Sequence, residues 1–268
     1  MTDEIPRGGE PIDWQPYAAY TVGRPHTVTG EVLAWTQAYS PQLGNARDIL
    51  VYLPPTYHHT ERRYPVVYFQ DGQNVFDAAT SYAGVEWGAD ETLQALSGEG
   101  VEAIAVAVPN AGERRLNEYT PPENPWWLGT GDRYVDFLID TVKPQIDRAF
   151  RTHPDRLHTA IVGSSLGALI SLYAWARRPE VFGLCGALSP ALWVGRGLIY
   201  DIVARAPHRP GRVYVDNGTL EASAHRLVEA LNERGYREDL KVVVDEGGRH
   251  TEADWARRLP DALRFLLK

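Results

Sequence analysis

The amino-acid sequence predicts an α/β fold: one mostly parallel β-sheet with helices on both faces. Short apolar runs alternate with segments of helical periodicity, and this alternation is typical of a parallel sheet. Several of the runs are apolar at nearly every position, as expected where helices cover both faces. At 268 residues, with 44% hydrophobic and 23% charged residues, the chain is long enough for one such domain.

The strands are predicted from these runs. Residues 1–26 are rich in proline and glycine and have no clear period, so we expect an irregular N-terminal arm there and one domain over 27–268. The strand-like runs 27–39 and 48–53 predict an antiparallel pair at the sheet edge. The remaining predicted strands are 66–69, 103–108, 159–162, 183–188, 212–216 and 241–245.

Helices are predicted between the strands from apolar residues that recur on one face. The segment 132–150 has such a face, and Pro144 is a candidate kink within it. The helix that follows Ser165 should end before Pro179. The other predicted helices cover 87–96, 198–206, 221–234 and 251–267.

Composition excludes several functional classes. The net charge is −8 without a block of lysine and arginine, so we expect no nucleic-acid partner. No apolar stretch could span a membrane and the acidic start lacks a secretory signal, so we expect no membrane partner and a cytoplasmic location. The single cysteine, Cys185, lies in an apolar run and is expected to be buried. We expect neither a metal site nor a cofactor.

The segment 159–168 has the pattern of a nucleophile elbow. A short strand runs into Gly163-Ser164-Ser165-Leu166-Gly167, which fits G-x-S-x-G, and a helix follows directly. Flanking glycines remove Cβ atoms that would clash in so sharp a turn. The pattern predicts that Ser165 is a nucleophile at the carboxyl edge of the sheet. The N–H of Leu166 would then lie at a helix N-terminus and could bind an oxyanion. The alternative is an ordinary turn.

A nucleophilic serine needs a base and a carboxylate that orients this base. His250 fits best, because it follows the last predicted strand through a Gly-Gly turn; the alternative is a loop or capping histidine. Glu221 and Asp216 both lie near the end of the penultimate strand and are candidates for the acid. Glu221 is favoured because it lies past the turn, Asp216 stays open, and Asp245 and Glu246 are weaker alternatives.

A second oxyanion donor is expected in the loop after the strand 66–69. Gly72 allows close approach there, and the backbone N–H of Gln73 is the predicted donor. The side chain of Asn74 could add a donor to the substrate. The alternative is an ordinary Asp-Gly turn.

These segments together resemble an esterase family of α/β-hydrolases. It includes enterochelin-type siderophore esterases, feruloyl and acetyl-xylan esterases, S-formylglutathione hydrolases and mycolyltransferases. The resemblance implies a single α/β-hydrolase domain and puts Ser165, Glu221 and His250 on the triad positions. Ala168, where many members have glycine, and Glu221, where many have aspartate, depart from the family. The resemblance covers most of the chain from about residue 45 and rests on 68–77, 115–121, the elbow, 178–183, 188–193, 218–221 and His250.

The long loop 109–131 leaves the carboxyl end of a strand, so we expect it to overhang the site. In it, Trp126-Trp127 could stack on a sugar or catechol ring, or could pin the loop to the body. Arg115 could bind substrate, although an ion pair with Glu118 that shapes the loop is favoured. Trp193 is another candidate wall of the cleft.

The sequence therefore predicts a serine esterase that works through an acyl-enzyme. Its substrate would be a small-molecule ester, and association of identical chains is left open. Two alternatives are kept. One is transfer of the acyl group to an alcohol other than water, as in the mycolyltransferases. The other is a non-catalytic binding module on the same scaffold.

Overall fold

The computed structural model describes residues 12–122 and 129–268 of the chain. The strands in this part are Gln15–Pro16 (β1), Glu31–Ser40 (β2), Asn45–Leu53 (β3), Val66–Gln70 (β4), Ile104–Val108 (β5), Thr159–Ser164 (β6), Leu184–Leu188 (β7), Arg212–Gly218 (β8) and Leu240–Asp245 (β9). They form one sheet in the order β1-β2-β3-β5-β4-β6-β7-β8-β9. The strands from β5 to β9 in this order are parallel, whereas β1, β2 and β3 pair antiparallel at one edge.

The α-helices connect these strands. They are Tyr17–Tyr20 (α1), Ala89–Ser97 (α2), Arg115–Glu118 (α3), Gly131–Asp136 (α4), Lys143–Ala149 (α5), Leu166–Arg177 (α6), Leu198–Arg205 (α7), His225–Glu233 (α8) and Glu252–Leu267 (α9). Short 3₁₀ helices lie at Tyr57–His59, Gly72–Asn74, Tyr82–Gly84, Gly112–Arg114, Arg156–His158 and Val194–Gly197. Within 12–122 and 129–268, no helix is both long and apolar enough to cross a membrane.

The sheet divides the hydrophobic core into two layers. Successive side chains of a strand point to opposite faces, so in β6 Ile161 packs into one layer while Ala160 and Val162 pack into the other. The first layer includes residues of α5, α6, α7 and α8, and the second includes residues of α2 and α9. Cys185 is buried in the first layer, as predicted. Helices on both faces of a mostly parallel sheet confirm the predicted fold class.

The segment expected to be irregular contains two short elements. β1 pairs with β2, and α1 follows it directly. The Tyr17 hydroxyl donates a hydrogen bond to Asp77 Oδ2 at 2.6 Å, which ties α1 to the loop after β4. The expectation of an irregular arm is therefore wrong for residues 15–20.

Two helix predictions are corrected. The helix expected over 132–150 contains a π-helical segment, Phe137–Val142, between α4 and α5. Pro144 is the second residue of α5 and follows this π-helical segment directly. The helix expected from Glu221 begins only at His225. Glu221 stays outside it because its carboxylate is held by the turn after β8, where Oε1 accepts the Gly218 N–H at 2.6 Å.

Candidate active site

Ser165 lies in the sharp turn between β6 and α6. Its backbone has φ 53° and ψ −119°, a strained conformation for a residue with a side chain. The turn brings Gly163 so close to Gly167 that a Cβ on Gly163 would lie 2.4 Å from the Gly167 carbonyl. The Ser165 N–H donates to Leu188 O at 3.0 Å, which anchors the turn to the end of β7. The local sequence thus presents the Ser165 hydroxyl at the carboxyl edge of the sheet.

The side chains of Ser165, His250 and Glu221 form one hydrogen-bonded chain. His250 Nε2 lies 2.8 Å from Ser165 Oγ, and His250 Nδ1 lies 2.7 Å from Glu221 Oε2. The His250 side chain is 34% exposed, whereas that of Glu221 is 7% exposed. The carboxylate is therefore shielded from water, while the imidazole can be reached from outside. This arrangement can move a proton from the serine hydroxyl to the imidazole.

The two candidate acids differ in what they contact. The other oxygen of Glu221, Oε1, accepts hydrogen bonds from Gly218 N and from Ser189 Oγ, so both carboxylate oxygens are engaged. Asp216 is fully buried in β8 and accepts the Ser189 N–H at 3.0 Å. Burial raises the pKa of Asp216 to about 7, although the nearby Arg258 guanidinium lowers it. The imidazole contact belongs to Glu221.

Arg258 on α9 is a site residue that the sequence analysis missed. It is buried, and its Nη2 donates to Ser189 Oγ at 2.7 Å. Three carboxylates surround its guanidinium, at 3.3 Å from Asp216, 3.6 Å from Glu221 and 3.2 Å from Asp245. One buried cation thus holds an acid of β8, an acid of β9 and Glu221, which follows β8. A charged residue on the apolar face of a predicted helix is the sequence signal that could have identified it.

We expect Arg258→Met to lower the free energy of unfolding by about 3–5 kcal/mol, because removing one partner leaves buried carboxylates uncompensated. Urea unfolding followed by circular dichroism measures the loss. Arg257→Met is the matched control, since Arg257 is the next residue on α9 and its ion pairs with Asp245 and Asp254 are exposed. Equal losses in the two variants would contradict the role given to Arg258.

Aromatic side chains flank the imidazole on two sides. Trp255 donates its indole N–H to Ser189 Oγ at 3.0 Å, and its ring centre lies 5.0 Å from that of His250, edge to face. Trp193 lies on another side, with ring centres 6.1 Å apart, and is 60% exposed. A cavity of about 350 Å³ begins there and is lined by Pro190, Leu192, Trp193, Arg196, Gly197, Tyr200, Ala222 and Ser223. Trp193 therefore forms part of one wall of this cavity.

The loop after β4 runs close against β5. A Cβ on Gly72 would lie 2.5 Å from the backbone of Ala107 and Val108, so only glycine fits. In the described part of the chain, neither the Gln73 N–H nor the Leu166 N–H donates to a protein acceptor. Both are thus available to an oxyanion.

Two residues that were candidates for substrate binding, Asn74 and Arg115, have side chains that hold loops. Asn74 is largely buried and its Oδ1 accepts the Tyr82 N–H at 2.9 Å. Arg115 makes a two-pronged contact with Asp71, from Nε to Oδ1 at 2.6 Å and from Nη2 to Oδ2 at 2.8 Å. This contact ties the start of the long loop to the turn before Gln73.

The prediction of an ion pair between Arg115 and Glu118 is wrong. Glu118 is buried and pairs with Arg47 at 2.9 Å, and it also accepts a hydrogen bond from Asn45. The guanidinium of Arg115 contacts both oxygens of Asp71, because folding brings that carboxylate within reach while Glu118 is taken by Arg47. Trp126 and Trp127 lie outside the described residues.

Within 12–122 and 129–268, two groups of side chains could hold a metal ion, and neither includes a residue of the Ser165–His250–Glu221 chain. One group is Glu86, Asp90 and Glu91, and the other is His153, Asp155 and His158. The hydrogen-bonded chain at Ser165 contains one base and one carboxylate, which is a donor set for proton transfer.

Comparison with known proteins identifies relatives. A family model described as "Putative esterase" matches residues 40–266. The uncharacterized protein YbbA of Bacillus subtilis is 27% identical over 253 residues, covering 83% of this chain and 93% of YbbA. An endo-1,4-beta-xylanase/feruloyl esterase of Xylanibacter ruminicola is 25% identical over 274 residues, covering 96% of this chain and 34% of that protein.

A solved structure shares the fold. An IroE-like serine hydrolase of Shewanella oneidensis matches with a TM-score of 0.69 at 21% identity, over 88% of this chain and 80% of that chain. The family match spans most of the chain, including both ends of the hydrogen-bonded chain at Ser165. The chain belongs to this esterase family, and it is a carboxylic-ester hydrolase.

Proposed function

We propose that this hydrolase works through an acyl-enzyme, with Ser165 as nucleophile, His250 as base and Glu221 as the acid that orients the imidazole. The observation that carries the proposal is the continuous hydrogen-bonded chain from Ser165 Oγ through both ring nitrogens of His250 to Glu221. A serine hydroxyl is a weak nucleophile until a base takes its proton, and this geometry supplies the base.

Acylation transfers one proton and exchanges one bond. Ser165 Oγ bonds to the ester carbonyl carbon while His250 Nε2 takes the hydroxyl proton. The bond from this carbon to the alcohol oxygen then breaks, and the imidazolium gives its proton to the leaving alcohol. The Glu221 carboxylate stabilises the imidazolium. The backbone N–H groups of Gln73 and Leu166 stabilise the tetrahedral oxyanion.

Deacylation repeats these steps with water. The oxygen of a water molecule attacks the acyl carbon while His250 takes a proton from this water. The bond from the acyl carbon to Ser165 Oγ then breaks, and the imidazolium gives the proton back to the serine. The strained Ser165 backbone and the buried Glu221 fix the positions of the groups before substrate arrives, which supports both half-reactions.

We also propose that the cavity beside Trp193 receives one half of a small ester. Its lining is mostly apolar and includes the rings of Trp193 and Tyr200. A flat aromatic or aliphatic group would pack against these rings. The feruloyl esterase relative is named for an aromatic acyl group, which is consistent with this cavity.

A fluorophosphonate probe tests the proposed nucleophile. We expect one covalent adduct on Ser165, identified by intact mass and peptide mapping, because the probe reacts with serines that a base activates. In His250→Ala the rate of labelling should fall at least about 100-fold, since general-base catalysis contributes about 10²–10⁴. Absence of an adduct on the folded protein, or undiminished labelling of His250→Ala, would overturn the mechanism.

A further inference from the structure

Three carboxylates gather around the start of α2. Glu86 precedes the helix, and Asp90 and Glu91 lie in its first turn. One carboxylate oxygen of each lies within 4.8 Å of those of the other two. Asp90 is fully buried, and Glu86 is partly buried. Among the residues that the structure describes, no lysine, arginine or histidine forms an ion pair with any of the three.

Two oxygens of this cluster have no hydrogen-bond donor. Asp90 Oδ2 accepts the Thr29 N–H at 2.7 Å, but Asp90 Oδ1 and Glu86 Oε2 are buried without a partner. The N-terminus of a helix attracts carboxylates, which accounts for acidic residues in the first turn of α2. It does not account for the two unpartnered oxygens. Buried charges in proteins are paired, or they coordinate a metal ion.

We propose that Glu86, Asp90 and Glu91 form a calcium site. The donors are all carboxylate oxygens, which hard cations prefer, and no histidine or cysteine belongs to the cluster. Ca²⁺ is held by several carboxylates in flexible geometry, whereas Mg²⁺ is usually held by one or two carboxylates and keeps several waters. Three carboxylates that can reach one point thus suit the larger ion, and water would complete its coordination.

A calcium ion here would join three segments of the fold. Thr29 lies just before β2 and is already bonded to Asp90. Glu86 lies in the loop after β4, the loop that carries Gln73. This loop is held to the approach of α2 by Trp87 N–H to Asn74 O at 2.8 Å and by Ala89 N–H to Val75 O at 3.1 Å. We therefore expect the ion to stabilise the domain, whatever the catalytic mechanism.

Calorimetric titration and thermal unfolding of the EDTA-treated full chain test the site. We expect one Ca²⁺ to bind with Kd on the order of 10⁻⁵–10⁻⁴ M. At about 100 times Kd, CaCl₂ should raise Tm by roughly 5 °C. MgCl₂ at the same concentration should raise Tm far less. In Asp90→Asn and Glu86→Gln the Ca²⁺-dependent rise should disappear.

The matched control is Glu238→Gln, an exposed carboxylate outside the cluster, which should keep the full Ca²⁺-dependent rise. Glu86 is only partly buried, so Glu86→Gln provides the test if Asp90→Asn does not fold. The weakest calcium sites in proteins have a Kd of about 10⁻³ M. The proposal is overturned if a Ca²⁺ concentration about five times this Kd leaves Tm unchanged. It is also overturned if Mg²⁺ acts equally well, or if the rise survives in Glu86→Gln.

Discussion

Replacing Ser165 with alanine is expected to lower kcat for ester hydrolysis by about 10⁵–10⁶-fold, the largest effect of any single substitution in this chain. Without the hydroxyl no acyl-enzyme can form, and only binding and the oxyanion donors are left to stabilise the transition state. The measurement is kcat of the purified variant with an activated ester such as a p-nitrophenyl ester, followed past several turnovers.

Ser164→Ala is the matched control for Ser165→Ala. Ser164 is the preceding residue, is buried at the end of β6, and lies outside the chain of hydrogen bonds to His250. Its loss should change kcat by less than about 10-fold, within the range of a small packing defect near the site. Loss of the covalent pathway should lower kcat by about 10⁵–10⁶-fold. If Ser165→Ala kept more than about a hundredth of the wild-type kcat, Ser165 would not be the nucleophile.

Glu221→Gln should lower kcat by about 10³–10⁴-fold. The carboxylate accepts a hydrogen bond from His250 Nδ1, and this keeps Nε2 free to take the serine proton. An amide can instead donate to Nδ1 and select the wrong tautomer. It also cannot stabilise the imidazolium charge. The measurement is kcat for ester hydrolysis, with urea unfolding of the same variant to check that the fold is retained.

Asp216→Asn separates the two candidate acids. Asp216 contacts Ser189 and Arg258, and the imidazole is bonded to Glu221. Its substitution should therefore lower kcat by less than about 10-fold, because it acts only through the residues that hold Glu221. A larger loss of kcat in Asp216→Asn than in Glu221→Gln would transfer the role of triad acid to Asp216.

The features that the sequence predicted best depend on neighbouring residues. The elbow is one example, because its strand, its flanking glycines and its helix are close together in sequence. The structure has β6, the strained Ser165 and α6 in that order. The fold class follows from the alternation of strands and helices, which is also local. Membership of the esterase family, predicted from short motifs along the chain, is confirmed.

Features that depend on distant partners were missed or mistaken. Arg115 pairs with Asp71 rather than with Glu118, because folding brings Asp71 within its reach and pairs Glu118 with Arg47. Helical periodicity placed Glu221 in a helix, but its hydrogen bonds to Gly218 and Ser189 hold it in a turn. In both cases a tertiary contact overrides the local preference.

The sequence by itself thus determined the order of strands and helices, the position of the elbow and the identity of the histidine candidate, because periodicity and turn chemistry act over a few residues. Only the tertiary structure decided which carboxylate reaches His250, and only it revealed Arg258 beneath that carboxylate. The physical reason is that buried charges select partners by distance in space. The carboxylates of Asp216 in β8 and Asp245 in β9 meet Arg258 of α9 only after the sheet has assembled.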